Sequence, residues 1–121
     1  MISQRAKHYR MPNGNIYIGD TQEGELHGRG QCRNRDGFVI YIGQYVRGKR
    51  NGNGVYYFPD GSRYEGEWAN DAMDGFGQMS YPDGSRYSGG WKGGKRTGIG
   101  KMTYPDGTVQ KGEWMNDNRV A

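Results

Sequence analysis

The chain has 121 residues, enough for one small domain. Only 32% are hydrophobic and the sole leucine is Leu26, so a conventional aliphatic core is excluded, while 23 glycines, 10 tyrosines and 3 tryptophans placed at intervals argue against a disordered chain. No apolar run is long enough for a membrane-spanning helix, Met1–Arg10 lacks the apolar stretch of a signal peptide, and the net charge of +4 permits acidic partners without demanding them.

In chain order the sequence repeats itself. A partial unit, about residues 6–16, ends in the turn pair Asn13-Gly14. Four full units follow, at 17–40, 41–63, 64–86 and 87–109, and a partial one at 110–121. Tyr17, Tyr41, Tyr64 and Tyr87 open the full units, with Gln110 in the next place. Each unit then carries a glycine two residues on, a polar loop, a Gly-x-Gly pair and an Asp-Gly turn. The turns are Asp36-Gly37, Asp60-Gly61, Asp83-Gly84 and Asp106-Gly107, three of them preceded by proline. These are hairpin signals, because proline presets φ and glycine accepts a positive φ. The first unit has one extra residue between Gly37 and Tyr41, which is read as a β-bulge.

The strands alternate in character. Tyr64, Gly66 and Trp68 share one face, as do Gly75, Gly77, Met79 and Tyr81, while Glu65 and Glu67 take the other. The predicted fold is all-β: a single-layer, elongated antiparallel meander of about ten strands, twisted and curved, and about 45–50 Å long at ~4.8 Å per strand. One face carries Tyr, Trp, Met and Phe interleaved with Gly, and the other is mostly charged or polar. Bare glycines let rings lie over neighbouring backbone, so a single sheet can bury aromatic area without a second layer.

Four linked columns recur across nearly the whole chain, and Tyr64-Glu65-Gly66-Glu67-Trp68 is close to the consensus of the MORN repeat (membrane occupation and recognition nexus), which the chain therefore resembles. The resemblance implies consecutive MORN β-hairpins. Proteins carrying them include cytoskeletal and ciliary components, membrane tethers, and enzymes with the repeat beside a catalytic domain. The expected function is a non-catalytic protein-interaction module, an adaptor or scaffold, intracellular and associated with the cytoplasm, cytoskeleton or cilium. The alternatives are a phosphoinositide or anionic-membrane module, or the accessory region of a larger enzyme.

The candidate partner-binding residues on the aromatic face are Tyr41, Tyr45, Tyr64, Trp68, Tyr87, Trp91 and Trp114, because Tyr and Trp are favoured interface anchors. The competing reading is that these rings pack on one another. The hairpin loops opposite the Asp-Gly turns alternate in sign. Arg47, Lys49 and Arg50, and then Lys92, Lys95 and Arg96, are the candidate anion or lipid contacts. Acidic loops carrying Glu23, Glu25, Asp71 and Asp74 interrupt them, so mutual neutralisation is the favoured reading and no nucleic-acid surface is expected. Gly89–Lys95 nearly spells a phosphate loop but continues with Arg96, in a chain with no helix to follow it. His8, His27 and Cys32 have no metal-ligand spacing, so neither metal nor cofactor is expected. The lone Cys32 fits a reducing compartment and falls on the aromatic face as a small buried residue. The last strand, Val109–Trp114, has no Gly-x-Gly partner after it, and it is read either as a frayed end protected by Lys111 and its short length or as an edge strand for homodimerisation or strand addition by a partner.

Overall fold

The computed structural model describes residues 7–121; the leader reading of Met1–Arg10 and the start of the first partial unit fall partly outside them. The described chain is all strand, one open antiparallel sheet in which every strand pairs with its neighbours in sequence. Its strands are β1 (Lys7–Arg10), β2 (Ile16–Gln22), β3 (Glu25–Arg33), β4 (Val39–Val46), β5 (Lys49–Tyr57), β6 (Arg63–Ala69), β7 (Ala72–Ser80), β8 (Arg86–Lys92), β9 (Lys95–Thr103), β10 (Val109–Met115) and β11 (Asn118–Arg119). The expected meander is there, with one strand more than the sequence suggests. Asn118 and Arg119 already pair with Met115 and Trp114, and the Arg119 guanidinium donates to the Lys111 carbonyl at 3.0 and 3.3 Å, covering part of the β10 edge.

Two kinds of turn alternate along the sheet. At one end, Pro59-Asp60-Gly61 and its counterparts close with the glycine N–H donating three residues back, from Gly61 to Phe58 at 3.1 Å and from Gly84 to Tyr81 at 3.0 Å. The Asp60 carboxylate accepts the Ser62 N–H at 2.8 Å, and Asp83 and Asp106 repeat the bond with Ser85 and Thr108. These bonds, led at Asp106 by the stronger one from the Thr108 hydroxyl at 2.7 Å, hold all three carboxyls below their ordinary pKa. At the other end the loops are two-residue turns. Both central residues have positive φ at Glu23-Gly24, Arg47-Gly48, Asn70-Asp71, Gly93-Gly94 and Asn116-Asp117. That geometry matches the twist of the flanking strands.

A row of glycines crosses the sheet in register: Gly19, Gly30, Gly43, Gly54, Gly66, Gly77, Gly89, Gly100 and Gly112, each opposite the next. The reason is steric. The Tyr17, Tyr41, Tyr64 and Tyr87 rings lie flat over Gly30, Gly54, Gly77 and Gly100, where a Cβ would collide with the ring. Each phenol then donates to a carbonyl three residues on: Tyr17 to Asp20 at 2.6 Å, Tyr41 to Gln44 at 2.9 Å, Tyr64 to Glu67 at 2.8 Å and Tyr87 to Gly90 at 3.1 Å.

The pairing slips once per unit. Gly75 keeps its place opposite Trp91 on β8, as Gly77 does opposite Gly89, but towards β6 the register shifts. Gly28, Gly52, Gly75 and Gly98 sit in a recurrent bulge at φ of +88°, +97°, +104° and +67°, conformations that side chains resist. The Gln44 side chain accepts the Asn53 N–H there at 2.7 Å, and Glu67 accepts that of Phe76 at 2.6 Å. The fourth unit has Gly90 in that place. The extra residue of the first unit is Ile40, at a register shift between β3 and β4, so the predicted bulge is where the sequence puts it.

Candidate functional site

The rings expected to grip a partner are turned on each other. Tyr17, Tyr45, Tyr41, Trp68, Tyr64, Trp91, Tyr87 and Trp114 form an unbroken edge-to-face zigzag, with centroids 5.2–5.5 Å apart and interplanar angles of 74–90°. Each such contact adds about 0.5–1.5 kcal/mol beyond area burial. The Trp68 indole donates to the Gly54 carbonyl and Trp91 to that of Gly77, both at 3.1 Å. None of Tyr41, Tyr45, Tyr64, Trp68, Tyr87, Trp91 and Trp114 exceeds 6% exposure. Together with Tyr17, Cys32, Met79 and Met102 they are the core. Self-packing therefore accounts for them, and among the described residues no fully buried side-chain nitrogen or oxygen lacks a hydrogen-bond partner. Burial pushes the phenols of Tyr17 and Tyr41 up to about 12 and raises those of Tyr45, Tyr64 and Tyr87 as well.

The cationic loops are also partly engaged. Arg50 and Arg96, two of the six expected anion contacts, are bound to the next turn, Arg50 to Asp71 at 3.1 Å and Arg96 to Asp117 at 3.2 Å. The Arg50 guanidinium also lies 4.7 Å from the Trp68 centroid and 4.9 Å from that of Tyr56. Neither is a free anion ligand. Arg47, Lys49, Lys92 and Lys95 remain exposed. The expected neutralisation between loops is thus borne by two specific pairs.

What the aromatic face leaves open lies beside the zigzag. β4 and β5 pair only from Tyr41 opposite Tyr56 inward. Beyond that point Ile40 has been inserted, Val39 stays with Arg33 on β3, and Tyr57 stays with Arg63 on β6. The two strands separate and open a cleft of about 710 Å³ between Phe38, Val39 and Ile40 on one wall and Tyr57, Phe58 and Pro59 on the other. Phe38 is 71% exposed. Two smaller hollows, about 250 and 310 Å³, adjoin it across Tyr56, one reaching Leu26 and Met11 and the other Met73 and Gly94. The sequence signals the inserted residue; that it unzips two strands depends on where each side's pairing is held. Among the described residues no group of His, Cys, Asp and Glu is placed to hold a metal ion.

The family model of the MORN repeat matches residues 17–39, 41–63, 64–86 and 87–109. The chain belongs to the MORN repeat family. No curated protein matches it in sequence. Each matched MORN unit supplies a tyrosine over a glycine and a turn at either end, and the second to fourth add Tyr45, Trp68 and Trp91 in the column where the first has Thr21. The first two MORN units differ by Ile40 and by Tyr45 in the tryptophan column, and the cleft opens where they meet.

Proposed function

We propose that this MORN protein is a non-catalytic interaction module, an adaptor or scaffold in a cytoskeletal or ciliary assembly inside the cell. A partner's segment would seat on the aromatic face in the hollows around Tyr56. The seven buried rings would act as the floor that holds these hollows in shape rather than as the contacts themselves. The observation that carries the reading is the cleft between β4 and β5, whose walls present apolar side chains to solvent at a break in the pairing found in no other hairpin of the described residues. Exposed apolar surface of this kind is seldom left without a use. Val109 and Gln110 on the open side of β10 are the place where a second copy could add a strand.

The test is capture from native cell extract with quantitative mass spectrometry, at low and high salt, comparing the native chain with a Phe38→Ser/Tyr57→Ser double variant. Both side chains are exposed, so the variant keeps its circular dichroism and melting. Cytoskeletal partners held at high salt and lost in the variant support the reading. Equal capture by both proteins overturns it. Loss of all protein at high salt, with lipid co-purifying at low salt, would move the function to an anionic membrane through Arg47, Lys49, Lys92 and Lys95.

A further inference from the structure

The opposite face of the sheet is not uniform. Its central row, read across the strands, runs Ile18, Gln31, Ile42, Val55, Glu65, Gln78, Ser88, Lys101, Lys111. The first half has no cation. The last part places Lys101 directly opposite Lys111, and Arg86 stands beside them, two residues from Ser88. Like charges directly opposed on neighbouring strands destabilise a sheet. Among the described residues none of the three makes an ion pair. Of the acids nearby, Glu65 holds Arg63 at 2.9 Å and Glu67 holds the Phe76 N–H, while Glu113, opposite Ile99 and two residues from Lys111, pairs with neither lysine.

Beside the cations lie two large apolar side chains in water. Phe76 is 61% exposed and Ile99 is 72% exposed. Phe76 faces Gly90, the unit-four residue that stands where Asp20, Gln44 and Glu67 stand in the others. The fourth unit thus has no polar side chain at that place, where the Thr97 carbonyl closes over Gly90 instead. The two exposed apolar side chains stand near three cations that make no ion pair among the described residues.

We infer that this face, at Phe76, Ile99, Arg86, Lys101 and Lys111, is a second docking surface, for an acidic segment of a partner protein that places paired carboxylates over the lysines and an apolar side chain against Phe76 and Ile99. Charge complementarity selects the occupant, because a carboxylate pair relieves the Lys101–Lys111 repulsion that the free sheet carries. A narrow segment fits better than a membrane. A flat anionic bilayer on this face would also meet Glu65 and Glu67 towards the middle of the sheet, whereas a narrow segment over Arg86, Lys101 and Lys111 has only Glu113 beside it.

A random-peptide display library panned on the full chain tests this, with phosphatidylserine-containing vesicles as a parallel probe. The enriched peptides should carry adjacent Asp or Glu next to an aromatic or aliphatic residue. Synthesised singly, they should bind about tenfold or more weakly to the Lys101→Glu/Lys111→Glu variant and to Phe76→Ser. They should bind unchanged to the Phe38→Ser/Tyr57→Ser variant, which separates this surface from the cleft. Enrichment without acidic residues, or binding indifferent to the charge reversal, overturns the inference. So does loss of the peptides on the cleft variant, or charge-dependent binding of vesicles with no peptide enriched.

Discussion

Arg50, in β5 just past one two-residue turn, and Asp71, in the next such turn, hold each other by four hydrogen bonds. The Asp71 N–H donates to the Arg50 carbonyl at 3.0 Å. The Asp71 carboxylate accepts from the Arg50 backbone N–H at 2.8 Å and from its Nε at 3.1 Å, and Nη2 donates to the Asp71 carbonyl at 3.0 Å. Arg96 and Asp117 repeat the pattern two units later. Asp71 sits at φ +71°, where glycine would be at ease. Asp71→Gly therefore relaxes the backbone while removing the carboxylate. The loss should still dominate, at about 1–2 kcal/mol, since charge-assisted hydrogen bonds outweigh neutral ones. Urea melting of the native and Asp71→Gly chains measures it. No destabilisation would mean that the turn geometry alone joins the loops.

The glycine row predicts a larger effect. Gly77→Ala drives a methyl group into the Tyr64 ring, which is pinned by its neighbours Trp68 and Trp91. The expected cost is about 3 kcal/mol, the upper range for overpacking in a fixed core. Thermal melting followed by circular dichroism reads it, and a Tm close to that of the native chain would show that the ring can move aside.

Trp68→Ala should be as damaging, at about 3–5 kcal/mol, because it empties a core site and leaves the Gly54 carbonyl without its donor. The change therefore reports on folding, and lost partner capture in this variant says nothing about contact. A native melting curve for Trp68→Ala would contradict the packing described above.

Alkali should unfold the sheet. The phenol pKa is raised in the folded chain from 10.0 to about 12 at Tyr17 and Tyr41, by burial first, with Asp20 adding to it at Tyr17. Between these values the folded form binds more protons than the unfolded one. The stabilisation is whole below about pH 10 and is lost as pH rises through the folded values near 12. Tyrosinate absorbance and sheet circular dichroism should then change together in one steep step. Smooth ionisation of all tyrosines near 10 with the sheet intact would rule out burial of the hydroxyls.

Much of the architecture is legible in the sequence, because tyrosine, glycine and turn residues recur at fixed offsets, and a period of two assigns Tyr64 and Trp68 to one side. The exceptions are physical. Gly75 looks like any residue of the alternation, and only the partner strand shows where the register shifts. The five two-residue turns carry signals such as Gly93-Gly94 and Asn70-Asp71, yet the bond from one turn to the next depends on loops brought together by the finished sheet. The candidate site is less legible. Aromatic residues attract a binding interpretation, but Tyr87 and Trp91 cover each other, and the open surface falls at Phe38 and Tyr57, which belong to no repeating column.

The turn-to-turn bonds follow an alternating score. The Leu26 carbonyl takes the Gly48 N–H and Met73 takes that of Gly94, while the Arg50 and Arg96 carbonyls take those of Asp71 and Asp117. The chain is thus written in couplets, not in single lines. Excising residues 64–86 would bring Arg50 against Gly94, where there is no carboxylate to meet it. Excising residues 41–86 would bring Leu26 against Gly94, the same rhyme that Met73 makes already. If lengths of this architecture are gained and lost by splicing, those that keep every clasp change by pairs of hairpins.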